Sequence, residues 1–167
     1  MTGIVNIHAS CVTLSDAGKM FDAPAEAGIL ILGESGSGKS DLVLRLIERG
    51  AQLVADDRSE LFVENGALIA RAPASLAGLI EVRGVGIIAL PFAAKTRIAV
   101  AVELVDAGKV PRLPRQEFYR TPSELTLAAH AAPPLIRVCA RESSASAKIS
   151  LAAAAFAKAL FRDNRNP

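Results

Sequence analysis

Apolar and polar residues alternate in blocks along the first third of the chain, and the blocks predict alternating strands and helices. Gly28–Leu32 is a short, continuous apolar run of the kind that is buried on both faces of a sheet. A glycine-rich turn follows it, and then a helix is predicted over residues 40–49, which Gly50 ends. Gln52–Ala55 predicts the next strand. This β-loop-α-β order implies a parallel pair of strands with a right-handed crossover.

The pattern after residue 58 predicts a second group of elements. Asn65 and Gly66 separate two apolar segments and are a strong hairpin signal. Strands are predicted over residues 60–64, 67–71, 79–82, 86–90, 97–105 and 135–139, and helices over residues 123–131 and 145–162. The last helix has an apolar side formed by Ile149, Ala152, Phe156 and Leu160. The fold class predicted is α/β, a mixed sheet around the glycine-rich turn, flanked by helices.

Composition narrows the class of protein. A chain of 167 residues, 51% hydrophobic and 22% charged, is expected to form one globular domain over residues 1–167. A net charge of +2 argues against a nucleic-acid partner. The apolar runs are shorter than the ~18–20 residues of a membrane span, and no signal peptide is evident. Cys11 and Cys139 lie too far apart for a zinc site. These features predict a cytoplasmic protein with buried thiols and no contact with a membrane.

A phosphate-binding motif is the strongest functional signal. The motif G-x-x-x-x-G-K-[ST] is matched by Gly33, Glu34, Ser35, Gly36, Ser37, Gly38, Lys39 and Ser40. The glycines let backbone N–H groups turn toward phosphate oxygens, and the following helix directs its positive end at the same anion. Lys39 would neutralise the β- and γ-phosphates, while the Ser40 hydroxyl would bind Mg²⁺. The motif therefore predicts a site for the phosphates of a nucleotide, with Ser40 placed to bind Mg²⁺.

Acidic residues follow the next predicted strands. Asp56 and Asp57 end the second strand of the unit, where a carboxylate could hold Mg²⁺ or accept a proton. Adjacent side chains on a strand point in opposite directions, so we expect the two carboxylates to have different roles. Glu81 and Arg83 lie two residues apart, which by itself is compatible with an ordinary surface ion pair. His8 is a further candidate, although a single histidine is more often structural than catalytic.

The order of these segments resembles the catalytic domain of HPr kinase/phosphorylase. The resemblance rests on the phosphate-binding motif, on L-V-A-D-D ending at Asp57, and on E-V-R-G-V-G-I-I starting at Glu81. The last segment is the most specific of the three, because ordinary proteins with this phosphate-binding motif lack it. The likeness covers about residues 7–105 well and implies a fold like that of phosphoenolpyruvate carboxykinase. It also implies a short form without the N-terminal domain of longer members, as in alphaproteobacteria.

The resemblance implies a serine protein kinase that uses ATP and Mg²⁺ to phosphorylate HPr of the phosphotransferase system, commonly as a homohexamer. It implies that Lys39 binds the phosphates and that Ser40 and Glu81 bind Mg²⁺. It also implies that Asp57 accepts the proton of the HPr serine and donates it in the reverse direction. His8 and Arg112 match a family histidine and arginine and are also assigned to catalysis. The family can reverse the reaction with inorganic phosphate, which yields pyrophosphate.

Two departures from the family pattern change one of these expectations. Asp41 stands where the family usually has Glu, and residues 136–142 lack the usual Pro-Gly pair. Because the late segment is tied to the reverse reaction, a competent kinase and weak phosphorylase is expected, with Arg112 and Arg141 as the remaining arginines for phosphate. The alternatives are a kinase for a small molecule and a nucleotide-sensing module without catalysis.

Overall fold

The computed structural model describes residues 3–162, which form eleven strands and two α-helices. The strands are β1 Val5–Ile7, β2 Ala9–Thr13, β3 Gly28–Leu32, β4 Gln52–Ala55, β5 Ser59–Glu64, β6 Ala67–Arg71, β7 Leu79–Val82, β8 Gly86–Ala89, β9 Thr96–Leu104, β10 Glu117–Phe118 and β11 Pro134–Val138. The helices are α1 Lys39–Glu48 and α2 Ala145–Lys158. Among the described residues, neither helix has the length and apolarity that a membrane crossing needs.

Nine of the strands form one mixed sheet around the long strand β9. Its path runs β1-β5-β6-β9-β3-β2-β4, and β11 with β10 joins at β9 as a branch. The start of β9 pairs with β6 in the antiparallel sense, while its remainder runs parallel to β3 and β11. Strands β7 and β8 form a separate two-stranded hairpin. The predicted α/β class, with a mixed sheet flanked by helices, is confirmed.

The β-loop-α-β unit differs from the predicted arrangement in one respect. Strands β3 and β4 run in the same direction, but they are not hydrogen-bonded neighbours, because β2 lies between them and is antiparallel to both. All five residues of β2 are buried, so this strand is a central one. This strand was not predicted from the sequence.

Alternation along the central strands divides the buried side chains between two cores. On β3, Ile29 and Ile31 face the core that also receives α1 and α2, whereas Leu30 faces the opposite core. The helix α1 contributes Leu42, Val43 and Leu46 to the first core. The second core lies beneath the β5–β6 hairpin and the irregular segment around Leu125 and Leu127. Both faces of the sheet are therefore covered, as expected for strands with continuous apolar sequences.

Most of the later elements lie where the pattern predicts them. The hairpin turn at Asn65 and Gly66 has positive φ angles of 51° and 75°, which suits the twist of the flanking strands. The helix predicted over residues 123–131 is wrong, because only a single 3-10 turn, Ala129–Ala131, is present there. Leu125 and Leu127 both reach the second core while their neighbours stay exposed. Core residues that are separated by a single exposed residue indicate an extended chain rather than a helix.

The closing helix is shorter than predicted, and its predicted apolar side is confirmed only in part, at Ile149, which is buried, and at Phe156, which packs against the core. It ends at Lys158, since Ala159 takes a left-handed φ of 52°. Its buried side contains Ala145, Ile149 and Ala153, while Leu160 is exposed. The 3-10 helix Ser15–Phe21, which lies between β2 and β3, packs on this side: Ser150 Oγ donates to Ala17 O, 3.2 Å away. Residues between His8 and the glycine-rich turn thus serve to anchor α2.

Removing the Ile149 side chain tests this packing. Ile149 is fully buried, so we expect Ile149→Ala to lower the free energy of unfolding by about 2–5 kcal/mol through lost burial and a residual cavity. The matched control is Leu151→Ala on the exposed side of the same helix, for which we expect a change within about 0.5 kcal/mol. Urea-induced unfolding measures both. Equal losses would contradict the assigned face.

Candidate active site

The glycine-rich loop, residues 33–40, connects β3 to α1 at the carboxyl end of β3. Gly36 and Gly38 have positive φ angles of 79° and 95°, a conformation that other residues rarely adopt. A Cβ added to Gly38 would lie 3.0 Å from Ala140 Cβ, so the loop after β11 packs closely against this glycine. Backbone N–H groups at the start of α1 lack carbonyl partners within the helix. The loop therefore has the shape and the donors of an anion site.

The side chain of Ser37 turns into this loop without a partner. Its Oγ is buried and has no hydrogen bond within the protein, which is uncommon for a buried hydroxyl. A Cβ on Gly33 would lie only 2.4 Å from this oxygen, so glycine is required there. An unsatisfied hydroxyl in this glycine-rich loop is a group that a phosphate oxygen would satisfy. The residues present fit a polyphosphate ligand.

Lys39 is buried at the first position of α1 and folds back over the loop. Its Nζ donates to Gly33 O at 2.8 Å and to Glu34 O at 3.0 Å. Burial lowers the pKa of the Lys39 ammonium group, and the nearby carboxylates of Asp57 and Asp56 oppose that shift. Two carbonyl oxygens thus hold the ammonium group beside the loop. The oxygens of an anionic ligand could replace them.

The carboxylate of Asp56 joins four separate elements. It accepts hydrogen bonds from Ser10 Oγ at 2.9 Å and from Ser40 Oγ at 2.9 and 3.1 Å. The backbone N–H of Glu81 also points to it, with a distance of 3.3 Å. These donors come from β2, α1 and β7, while Asp56 itself follows β4. The side chain is only 7% exposed, so its oxygens are satisfied by protein groups.

The side chain of Asp57 has a different environment from that of Asp56. It is 63% exposed, and His8 Nε2 lies 2.6 Å from its Oδ1, so the imidazole donates a hydrogen bond to the carboxylate. The backbone of Asp57 has a positive φ of 63° within a tight turn that Arg58 N closes by donating to Asp56 O, 2.7 Å away. Such three-residue turns with positive φ are rare and strained.

A cleft of about 450 Å³ beside the glycine-rich loop brings most of the predicted site residues together. Its lining includes Lys39, Ser40, Asp57, Glu81 and Arg83. Among residues 3–162, Glu81 and Arg83 form no ion pair with each other, and no group of three or more His, Cys, Asp or Glu side chains is arranged to hold a metal ion. Mg²⁺ is commonly bound through one or two carboxylates, with phosphates and water completing its shell. Oxygen ligands of that kind are available here from Ser40 and Glu81.

A larger cavity of about 1050 Å³ lies on the other side of the glycine-rich loop. Arg141 lines it together with residues 103–107 and 139–142. The segment that carries Arg141 is tied to α1 by Arg45, which donates to the carbonyl oxygens of Ala140 and Glu142 and pairs with Asp41. Arg112 is exposed and lies in the lining of neither cavity. The structure therefore brings Arg141, and not Arg112, next to the loop.

Three contributors to this site were not predicted from the sequence. Ser10 is a polar residue within an apolar segment, which was an available signal, whereas Arg45 lies on the polar side of an amphipathic helix and gave none. The hydrogen bonding of Asp56 to Ser40 could not be read from spacing, because it depends on the course of β2 and β7. All three act on the placement of the loop and of Asp57 rather than lining the deepest part of the cleft.

Comparison with known proteins adds the family. A family model described as the HPr Serine kinase C-terminal domain matches residues 17–125. The HPr kinase/phosphorylase of Clostridium tetani is 53% identical over 64 residues, which are 38% of this chain and 21% of the relative. That of Streptococcus equi subsp. zooepidemicus is 41% identical over 93 residues, 50% of this chain and 30% of the relative. The chain thus matches only about a fifth to a third of the length of these curated relatives.

The likeness extends to the fold of almost the whole chain. A solved structure, the Hpr(Ser) kinase/phosphatase from Coxiella burnetii, superposes with a TM-score of 0.70 at 26% sequence identity. The superposition covers 94% of this chain and 99% of that chain. The resemblance that the motifs suggested is confirmed. With more than half of its residues matched by the family model, this chain belongs to the HPr serine kinase family, as a representative of its C-terminal domain.

Proposed function

We propose that this chain transfers the γ-phosphate of ATP to a serine hydroxyl of HPr. The observation that carries the proposal is the cleft in which Lys39, Ser40, Asp57 and Glu81 meet beside the glycine-rich loop. A phosphate anchor, oxygen ligands for a cation and an accessible carboxylate are the groups that phosphoryl transfer needs. The relatives named HPr kinase/phosphorylase support HPr as the acceptor.

The glycine-rich loop binds the phosphates of ATP in this proposal. Residues 33–38 supply backbone N–H groups, the buried Ser37 Oγ supplies one further donor, and Lys39 supplies a positive charge. The larger cavity beside residues 103–107 has room for the nucleoside. Ser40 and Glu81 would hold Mg²⁺, which when bound neutralises part of the phosphate charge.

Asp57 is the proton acceptor in this proposal, and His8 holds its carboxylate toward the cleft. The serine oxygen of HPr forms a bond to the γ-phosphorus, the bond from that phosphorus to the β-phosphate oxygen breaks, and ADP leaves. Asp57 accepts the hydroxyl proton during this displacement. Its exposure supports the role, because the carboxylate is accessible to a protein substrate, whereas Asp56 is committed to structural hydrogen bonds.

The reverse reaction requires the same groups and more positive charge. Inorganic phosphate would attack phosphoserine on HPr, the serine oxygen would take the proton back from Asp57, and pyrophosphate would leave. Two anions then meet in one site, so arginines that neutralise the incoming phosphate gain importance. Arg141 lines the larger cavity, and Arg112 is proposed to assist from the loop after β9 when substrate is bound.

We also propose that the protein acts in the cytoplasm as a homohexamer, as the family resemblance implies. Exposed apolar side chains on and after the β7–β8 hairpin support self-association. Val85 and Ile87 are each 71% exposed and Phe92 is 43% exposed. Apolar surface of this kind commonly marks an interface between proteins.

A direct assay tests the proposed function. The protein is incubated with labelled ATP, Mg²⁺ and purified HPr, and the phosphorylated residue is mapped by mass spectrometry. Label on one HPr serine is the expected result. Label only on small hydroxyl compounds offered in parallel would favour a small-molecule kinase. Nucleotide binding without transfer to any acceptor would favour a sensing module.

Replacing Lys39 tests the assigned phosphate anchor. We expect Lys39→Ala to weaken ATP binding and to lower the transfer rate by at least about 10²–10³, because the charge facing the β- and γ-phosphates is lost. Isothermal calorimetry and the HPr assay measure the two effects. The control Lys95→Ala removes an exposed lysine that pairs with Glu64 far from the loop, and should leave both unchanged. Near-normal activity of Lys39→Ala would remove the basis for the loop assignment.

The two adjacent aspartates should respond differently to the same substitution. Asp57→Asn keeps the side-chain size but removes the proton acceptor, so ATP binding should persist while transfer falls by about 10²–10⁴. Asp56→Asn replaces an acceptor oxygen by an amide donor that would face Ser10, Ser40 or Glu81. We therefore expect lower thermal stability and weaker Mg²⁺-dependent ATP binding. If Asp56→Asn alone blocked transfer while ATP binding stayed normal, the two roles would be reversed.

Substituting the arginines tests the reverse reaction. We expect pyrophosphate release from phosphorylated HPr at millimolar phosphate to be slower than the forward transfer under matched conditions. Arg112→Ala and Arg141→Ala should each impair the reverse reaction at least as much as the forward one, since each removes a positive charge from a site where two anions must meet. Equal forward and reverse rates in the unmodified protein would contradict a weak phosphorylase.

A further inference from the structure

One buried hydroxyl contacts both aspartates at the end of β4. Ser10 Oγ donates to Asp56 Oδ1 at 2.9 Å and accepts the backbone N–H of Asp57 at 3.1 Å. A serine hydroxyl has a single proton, and here that proton is committed to Asp56. The side chain is fully buried, so water does not compete for either bond. Ser10 therefore connects the buried carboxylate with the backbone of the exposed one.

Little else determines where the Asp57 carboxylate lies. Among the described residues, the one hydrogen-bonding partner of its side chain is His8, which is itself 36% exposed. The position of the carboxylate consequently depends on its backbone, which has the strained positive φ of 63°. Strained backbone persists only where surrounding groups hold it in place. The two bonds that hold this turn are Arg58 N to Asp56 O and Asp57 N to Ser10 Oγ.

The strand that carries Ser10 is well suited to hold the turn. Strand β2 is hydrogen-bonded on both sides, to β3 and to β4, and Ser10 lies opposite Ile31. The register of β2 against β4 shifts between Cys11 and Val12, so that Cys11 pairs with Ala55. Ser10 then comes next to the two residues that follow β4. A hydroxyl on a central, buried strand has a fixed position, so its hydrogen bond can hold an exposed turn in place.

We propose that Ser10 is a positioning residue for phosphoryl transfer. Its hydrogen bonds to the Asp56 carboxylate and to the Asp57 N–H, together called the clasp, hold the Asp56–Asp57 turn and thereby keep the Asp57 carboxylate at the cleft. The rate effect rests on the proposed kinase function, while the clasp itself is a property of the free protein. Loss of the hydroxyl should release the turn from its strained conformation. Asp57 would then spend less time in the orientation that accepts a proton, although the glycine-rich loop would keep its shape.

The decisive comparison uses two buried serines at strand β2: Ser10 lies in this strand, and Ser59 donates a hydrogen bond to it. Ser10→Ala removes the clasp. The matched control Ser59→Ala removes an equally buried hydroxyl, which donates to Ala9 O at 2.9 Å and takes no part in the hydrogen bonds of the two aspartates. Each variant loses one buried hydroxyl, so any general effect on folding should appear in both. Thermal unfolding of the two variants measures that shared effect.

Hydrogen exchange of the Asp57 amide, resolved by mass spectrometry on the free protein, reports the clasp without any substrate. We expect exchange to be faster by about tenfold or more in Ser10→Ala, because the amide has lost its buried acceptor, and unchanged in Ser59→Ala. In the HPr assay, Ser10→Ala should lower kcat by about 10–100-fold, with KM for ATP within about threefold of normal. Ser10→Thr, which keeps the hydroxyl, should recover most of kcat.

Each outcome bears on the proposal separately from the proposed function. If the unmodified protein fails to phosphorylate HPr, the kinase function is wrong, and the exchange measurement still decides whether Ser10 holds the turn. If the unmodified protein is active but Ser10→Ala matches Ser59→Ala in kcat and in Asp57 exchange, the positioning role is overturned. Should Ser10→Thr not fold, the comparison of the two alanine variants remains sufficient.

Discussion

The buried carboxylate of Asp56 is the interaction on which the arrangement of the site depends. An ionised group inside a protein is strongly destabilising unless its oxygens are hydrogen-bonded. Here the donors are two hydroxyls and one backbone N–H, and they come from β2, from the first turn of α1 and from β7. Satisfying one carboxylate therefore fixes the distances between three elements that are remote in sequence. The glycine-rich loop, the β7–β8 hairpin and the end of β4 meet for this reason.

The position of β2 explains why the carboxylate can be satisfied at all. If β3 and β4 were direct neighbours, Asp56 would lie at the end of a strand adjacent to β3, and no polar side chain would lie between the two strands. Strand β2 enters between the two and brings Ser10 to the carboxylate and His8 to Asp57. The same insertion places the 3-10 helix Ser15–Phe21 under α2. One strand thus supports the site on one side and the closing helix on the other.

The two sides of the glycine-rich loop are supported by different means. Toward the smaller cleft, the hydrogen bonds of Asp56 set the position of Ser40. Toward the larger cavity, Arg45 binds carbonyl oxygens of the segment after β11, and Ala140 packs on Gly38. The segment without a Pro-Gly pair is therefore held by a side chain from α1 instead of by a rigid turn.

The sequence by itself determined the local elements and the main candidates of the site. The apolar run of β3, the stripe on α1 and the Asn65–Gly66 turn are local patterns, and each formed the element that it predicts. The phosphate-binding motif likewise depends on residues that are adjacent in the chain. This is why the loop, Lys39 and Ser40 could be identified without a structure.

Only the tertiary structure decided which distant groups share a hydrogen bond and which faces are buried. The insertion of β2 between β3 and β4, and the extended course of the chain at Leu125, follow from burial in cores assembled from remote segments. The hydrogen bonds at Asp56 and at the backbone of Asp57 both involve Ser10, which lies 46 positions before Asp56. Sequence periodicity reports on neighbours within one element, whereas these contacts arise between elements. Burial in a shared core and the satisfaction of a buried carboxylate both need segments that come together only when the chain has folded.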